Sequence, residues 1–413
     1  MPRTALAPDL SPGEATAPRV QGWCPGALRP MMSGDGLVMR LRPRLARFTR
    51  EQILGICDAA MRHAAGLIDL TSRANLQVRG VAQADWPALI DIFGGLGLLD
   101  EDTGLESRRN LLVAPDWVAG DDTERIATEL LARLDELPDL PAKVGFAIDA
   151  GAAPRLLDDS ADFRIERGAH GGLILRADGR VAGVPLAAGA EVDALIALVR
   201  WFADGGGKVS GRMARHPAPL PAWAMGDVAP GPSAGALRSG VHALGVVCAL
   251  PFGQVRAEDL AQAVRSSGAL ALRATPWRRV LLEGAAPDAA PRLAPGWPDM
   301  DVADLAGWRV EACAGAPFCS QASVETRPLA YRLLELAQQG RLGAQRGAAP
   351  AGADTRTVHV SGCAKGCAHP AAAAVCLTGR AGAFDLAFDA RPGEPPQTAD
   401  LGMDAVLARL GVN

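Results

Sequence analysis

The segment GLVMRLRPRLARFTREQILGICDAAMRHAAGLIDLTSRANLQVRG (36–80) decides the fold, because a counterpart, GVVCALPFGQVRAEDLAQAVRSSGALALRATPWRRVLLEG (245–284), returns later in the chain. Both run strand, turn, amphipathic helix, strand. FTREQIL (48–54) corresponds to VRAEDLA (255–261), and Gly80 to Gly284. Both helices open on acid, Glu51 in one and Glu258 with Asp259 in the other, which suits the positive end of a helix dipole. Thr49 can cap the first helix, whereas Arg256 cannot cap the second. Two unrelated β-α-β pieces would also alternate strand and helix. Matching order, similar length and terminal glycines favour duplication, with the halves paired pseudo-symmetrically across one shared sheet.

Between the copies lies an α/β stretch. KVGFAIDAG (143–151), DFRIERG (162–168) and GGLILRADGRVAGVPLA (171–187) read as strands. EVDALIALVRWFADGGG (191–207) reads as a helix closed by its glycines rather than as a phosphate-binding turn. Pro/Gly/Ala-rich stretches at 226–240 and 285–300 read as linkers. Beyond them, a helix is expected from about Pro328 to Gln339. TVHVSG (357–362) reads as a strand, and 375–393 as a hairpin with Phe384, Leu386 and Phe388 on one face.

The 413 residues suffice for several domains, and a 49% hydrophobic, 21% charged composition excludes broad disorder. With aromatics at 4% and Tyr331 the single tyrosine, the cores must rest on Leu, Val and Ala. A net charge of −4 argues against a nucleic-acid binder. No run approaches the ~20 apolar residues of a membrane span. The first twenty residues lack a signal-peptide core and read as a disordered tail, so the expected location is cytoplasmic with no membrane partner.

Chemistry concentrates in the cysteines. CAGAPFC (313–319) and SGCAKGC (361–367) give C-x5-C and C-x3-C pairs. Four thiolates can close around zinc or ligate the corners of a [4Fe–4S] cube. Zinc ribbons favour C-x2-C knuckles, so the looser spacings favour the cube. Small neighbours (Ala314, Gly315, Ala316, Ala364, Gly366) let backbone N–H groups approach it, and Lys365 offsets its negative charge. A zinc site and unligated buried cysteines are the alternatives.

This spacing resembles the cluster motif of the siroheme sulfite and nitrite reductase superfamily, and the resemblance spans nearly the whole chain. It implies an α+β, nitrite/sulfite reductase-like fold: two pseudo-symmetric ferredoxin-like halves forming one domain, an inserted α/β domain, and a C-terminal iron–sulfur α/β domain. The boundaries implied are a tail at 1–20, half one at 21–105, the insert at 106–235, half two at 236–300 and the cluster domain at 301–413. By resemblance Cys313, Cys319, Cys363 and Cys367 are cluster ligands, with Cys367 nearest a macrocycle. MRLRP (39–43), LTSRANLQVRG (70–80), RRNLLVAP (108–115) and PAKVG (141–145) are similar to the family's anion-binding elements. They nominate Arg40, Arg42, Arg73, Asn75, Gln77, Arg79, Arg109, Asn110 and Lys143 as substrate-binding residues. On a strand, residues two apart share a face, so Arg40 with Arg42 and Gln77 with Arg79 can converge on one carboxylate.

Gly145 stands where the family keeps a second lysine. That departure, with GWCPGALRPMMSGDGL (22–37) and HVSGCAKGCAHP (359–370), resembles the precorrin-3B synthase branch. The branch implies a precorrin-3A tetrapyrrole substrate, dioxygen as oxidant, and an electron donor such as a ferredoxin or an NADH-linked reductase. It also implies a mononuclear non-haem iron beside the cluster, for which His359 and His369, bracketing the second cysteine pair, are the candidate iron or substrate contacts. A siroheme-dependent reductase, with siroheme as resident cofactor, is the alternative, and a non-catalytic electron carrier the second.

Overall fold

The helix Arg50–His63 begins at the expected cap. The Thr49 hydroxyl accepts from the Gln52 N–H at 3.2 Å, and the Gln52 side chain accepts from the Thr49 N–H at 3.0 Å. Ile53, Ile56, Cys57 and Ala60, three and four residues apart, form its buried stripe. The counterpart helix Ala257–Ser266 has no side-chain cap and buries Leu260, Ala261 and Val264. This geometry comes from a computed structural model, which describes residues 24–100, 102–287, 307–343 and 356–411. The expected N-terminal tail and most of the second linker lie outside the described residues.

A three-residue strand precedes each helix and crosses to the other copy. Arg47–Thr49 pairs antiparallel with Ala271–Ala274, and Gln254–Arg256 with Leu67–Leu70. The copies therefore build two five-stranded antiparallel sheets, which corrects the expectation of one shared sheet. One runs Met31–Ser33, Gly36–Leu41, Leu76–Val81, Leu67–Leu70, Gln254–Arg256. The other runs Gly240–His242, Gly245–Ala249, Arg279–Glu283, Ala271–Ala274, Arg47–Thr49. Exchanging strands gives each sheet an extra ladder and pins both helices over one core. There, Phe48, Ile53, Ile68 and Val78 join Leu260, Leu272 and Val280. Truncating any of these large buried side chains to Ala costs about 2–5 kcal/mol.

The backbone carries the duplication too. Leu45 and Ala46 (φ 53° and 57°) match Phe252 and Gly253 (54° and 71°), and Ala74 (53°) matches Arg278 (57°). Positive φ is uncommon for residues with a Cβ, so its recurrence at equivalent positions marks one backbone plan used twice.

The intervening segment forms a sheet in the order Val184–Pro185, Leu173–Ala177, Phe163–Arg167, Phe146–Asp149, Leu111–Val113. Its last three strands are parallel. Helices Asp122–Ala132 and Glu191–Phe202 pack on it, with Phe146, Phe163 and Phe202 in ring contact at 6.1 and 5.6 Å. The glycines interrupt the second helix as expected, with Gly206 at a non-helical φ of 95°. Ala203–Gly207 makes a π-helical turn, a further turn spans Lys208–Ser210, and left-handed Gly211 ends it.

The C-terminal sheet runs Trp308–Ala312, Arg356–Ser361, Ala373–Arg380, Ala383–Ala390, Thr398–Leu401, with the first three strands parallel. Phe384, Leu386 and Phe388 face its core beneath helices Arg327–Gln338 and Met403–Leu410, as their alternation requires. Among the described residues, no helix is long and apolar enough to cross a membrane.

Candidate functional site

Cys313 and Cys363 follow the ends of adjacent parallel strands, where Ala312 lies opposite Val360. Strand pairing thus sets the two cysteines side by side. The first loop returns through turns: the Cys319 N–H donates to the Gly315 carbonyl at 2.8 Å and the Ala316 N–H to Val324 at 2.8 Å. Gly315 has φ 69°, and a Cβ there would meet Thr326 Oγ1 at 2.5 Å, so only glycine fits this reversal. The second loop turns at Gly366, φ 65°. Backbone amides already point at sulfur: the Gly362 N–H donates to Cys313 Sγ at 3.2 Å, and that of Lys365 to the Cys363 thiol.

The four thiols form one electrostatic group. Burial raises the Cys363 thiol above its ordinary value, and Cys319 and Cys313 add to the effect. Burial likewise raises Cys367, with contributions from Cys313, Cys363 and Cys319. A multivalent cation that removes these protons relieves that mutual cost. Yet no three His, Cys, Asp or Glu side chains among the described residues are gathered tightly enough for a single ion. Zinc, with bonds of about 2.3 Å, needs sulfurs nearly in contact. The four thiols share one field, among backbone amides and small residues.

Cationic side chains gather on the first copy's sheet. Arg40, Gln77, Asp69 and Gln254 stand opposite one another across four strands, one polar row on the face away from the core. Arg42 is 9% exposed and in ion-pair range of Glu106 at 3.3 Å, yet its Nε and Nη1 lack hydrogen-bond partners among the described residues. Burial pushes it down to about 10, with Arg40 and Arg109 adding to the drop against Glu106. Arg40 is lowered by burial too, and its Nε is likewise orphaned. Guanidinium nitrogens that are buried without a hydrogen bond are costly, and Arg40 Nε with Arg42 Nε and Nη1 could each still donate to an anion. Arg73 donates to the Lys143 carbonyl at 3.0 Å and sits near Arg212, whose charge, after burial, lowers it further.

Gly145 explains the missing lysine. A Cβ there would lie 2.5 Å from Arg73 Nη1 and 2.9 Å from Asn110 Nδ2. Arg73 occupies the space that a side chain at 145 would need.

The other nominees divide. Arg79 is not free for substrate: Asp35 and Asp69 hold it at 2.8 and 3.1 Å. Arg109 is forked onto Asp100 and donates to the Arg42 carbonyl, so it supports the pocket rather than lining it. Asn110 donates to the Val144 carbonyl at 2.6 Å. Asn75 is buried in the 71–75 turn, where its N–H donates to Thr71 Oγ1 at 3.2 Å, and Lys143 is exposed at the rim. Sequence reasoning missed Arg212, Glu106 and Cys24, whose thiol lies beside Arg40. Their charge was visible, but nothing in the sequence tied them to one place.

His359 and His369 are neighbours, ring centroids 5.8 Å apart. His359 is fully buried with both ring nitrogens unpartnered among the described residues, and burial, aided by His369 and Arg278, lowers it to about 4. Glu311, its neighbour on the adjacent strand, is committed to Arg278. Among the described residues, the two imidazoles have no third His, Cys, Asp or Glu gathered with them to complete a mononuclear iron site.

Residues 29–95, the first copy, match the family model described as nitrite/sulfite reductase ferredoxin-like half domain. A precorrin-3B synthase from Sinorhizobium sp is 31% identical over 434 residues, covering 95% of this chain and 88% of that protein. The chain belongs to the precorrin-3B synthase family. As a member it is an oxidoreductase of cobalamin biosynthesis. The family fold extends to the NirA protein of Mycobacterium tuberculosis, whose structure superposes with TM-score 0.59 at 17% identity over 89% of this chain and 78% of that one.

Proposed function

We propose that the chain converts precorrin-3A to precorrin-3B, hydroxylating the C20 meso carbon with dioxygen and closing a γ-lactone from a ring-A acetate. The observation that carries this reading is the set of unsatisfied guanidinium nitrogens on Arg40 and Arg42, with Arg73 and Arg212 nearby. A tetrapyrrole fringed with acetate and propionate groups supplies the carboxylates they lack, in bidentate geometry. Cys313, Cys319, Cys363 and Cys367 would hold a [4Fe–4S] cluster, which supplies single electrons when bound. One oxygen atom enters the substrate and the other leaves as water, with two electrons from a ferredoxin or an NADH-linked reductase.

The chain's own part is placement. Arginines that fix the acetate make lactone closure intramolecular, replacing an encounter by a held geometry. Low dielectric around Arg42 strengthens its grip on a carboxylate. Because Arg73 fills the space over Gly145, the pocket is shaped for a macrocycle's rim rather than for a lysine-ringed small oxyanion. This favours substrate over resident siroheme.

The test is incubation of anaerobically purified protein with precorrin-3A, a reductant and isotopically labelled dioxygen. A lactone product carrying one labelled oxygen is expected. Sulfite or nitrite turnover with a persistent isobacteriochlorin spectrum would overturn the reading in favour of the reductase.

A further inference from the structure

The sheet face that carries the pocket also carries a buried ion-pair network, and its mate in the second copy has the opposite charge order. Thr71, Ala74 and Gly80 are equivalent to Thr275, Arg278 and Gly284, so Asp69 and Arg79 are equivalent to Arg273 and Glu283. Gln254, opposite Asp69, is equivalent to Arg47, opposite Arg273. In the second copy, Arg273 donates to Glu283 at 2.7 Å and Arg47 to the same carboxylate at 2.8 Å. Arg273 also donates to the Pro115 and Trp117 carbonyls and stacks on the Trp117 ring at 4.2 Å. That network fastens the intervening segment.

The first copy's network fastens a different loop. Arg79, held by Asp35 and Asp69, donates to Ser33 Oγ at 3.2 Å and to the Phe318 carbonyl at 2.5 Å. The Ser33 hydroxyl donates to the same carbonyl at 2.6 Å. Phe318 immediately precedes Cys319. Gly34 packs so tightly here that a Cβ would lie 2.2 Å from the Pro317 carbonyl. Arg79 and Arg327 both approach the Phe318 ring, at 5.8 and 5.7 Å.

We propose that Arg79 is the positioning residue of the iron–sulfur site. It clamps the Pro317–Cys319 turn to the first copy's sheet and holds its guanidinium on the carbonyl next to Cys319. This rests on the cluster reading above. A charge-assisted hydrogen bond to the carbonyl before a ligand restricts where that ligand's sulfur can go. A nearby cation stabilises the reduced, more negative cluster and so raises its potential.

The test compares Arg79→Gln, Arg79→Lys and Ser33→Ala with the wild-type full chain, purified anaerobically. Arg79→Gln is expected to lose its cluster in air roughly tenfold faster, the scale of one lost charge-assisted bond, and to show a more negative midpoint potential. Arg79→Lys restores the potential but not the slow loss, because one ammonium does not replace the fork. Ser33→Ala speeds the loss less and leaves the potential unchanged. A purely structural Arg79 would not move the potential, so an unchanged value in Arg79→Gln overturns the proposal. Should Arg79→Gln fail to fold, Ser33→Ala decides, and a wild-type rate of cluster loss overturns it. Wild-type protein without iron and sulfide would instead sink the cluster assignment. The clamp is then read in metal-free protein, where alkylation of Cys319 is expected to be several-fold faster in Ser33→Ala, and equal rates would refute it.

Discussion

Two copies of one backbone plan hold inverted ion pairs at equivalent positions, Asp69 with Arg79 in the first and Arg273 with Glu283 in the second. The first copy turns its arginine towards the loop bearing Cys319, and the second turns its arginine towards the segment starting at Pro115. The same sheet face is thus tied once to a cysteine-bearing loop and once to the intervening segment. Duplication supplied the frame, and the choice of which strand carries the cation assigned each frame its task. The difference extends along the matching strands, where Gln77 in the first copy's polar row becomes fully buried Leu281 in the second.

The sharpest way to break the comparison is Arg273→Met. It leaves the part-buried Glu283 to Arg47 alone and frees the Trp117 turn, and losing charged hydrogen bonds of this kind costs about 1.5–3 kcal/mol. Urea unfolding should show that loss while iron content per folded chain stays at the wild-type level. Cluster loss without destabilisation would mean that the two copies do not divide the work.

A second contrast concerns Arg278. Its ion pair with Glu311 places it near His359, whose ring is held down at about 4 from an ordinary 6.5 by burial, with His369 and Arg278 contributing. The unfolded chain binds the proton more tightly, so stability is full above about pH 6.5, falls as pH drops towards 4, and is level below that. The loss amounts to roughly 3 kcal/mol. Denaturation across this range should show the slope, and His359→Phe should remove this residue's share.

In the pocket, Arg73→Ala should weaken tetrapyrrole binding by roughly ten- to a hundredfold, the scale of a lost charged hydrogen bond, with little effect on unfolding. Gly145→Ala should displace Arg73 and do the same. The double variant should be no worse than either single one, since both remove one interaction. Additive losses, measured by equilibrium titration, would separate the two residues.

The smallest effect lies at the helix starts. Thr49→Ala should cost about 1 kcal/mol, and Arg256→Thr should gain a fraction of that, because only the first copy has a capping box. Equal melting temperatures for both variants and the wild type would deny the asymmetry.

The duplication, the Thr49 cap and the cysteine pairs were legible because each shows in the sequence itself: a repeated order of elements, a hydroxyl just before a helix, a pair of thiols with small neighbours. The strand exchange was not. Arg47–Thr49 and Gln254–Arg256 are too short to carry a hydrophobic period, and nothing in three residues states which sheet they join. Arg79 and Arg109 looked like ligands because arginine is read by type. Their partners Asp35, Asp69 and Asp100 declare themselves only when strands are in register. Gly145 was legible as a departure, but its cause, the guanidinium of Arg73 above it, required the fold.

The proposed activity depends on four thiols holding an iron–sulfur cube. The direct measurement is iron and acid-labile sulfide per chain in anaerobically purified wild type and Cys367→Ser. About four of each are expected in the wild type, with loss of both and of turnover in Cys367→Ser. Absence of sulfide from the wild type, or an unaltered cluster and normal turnover in Cys367→Ser, would contradict it.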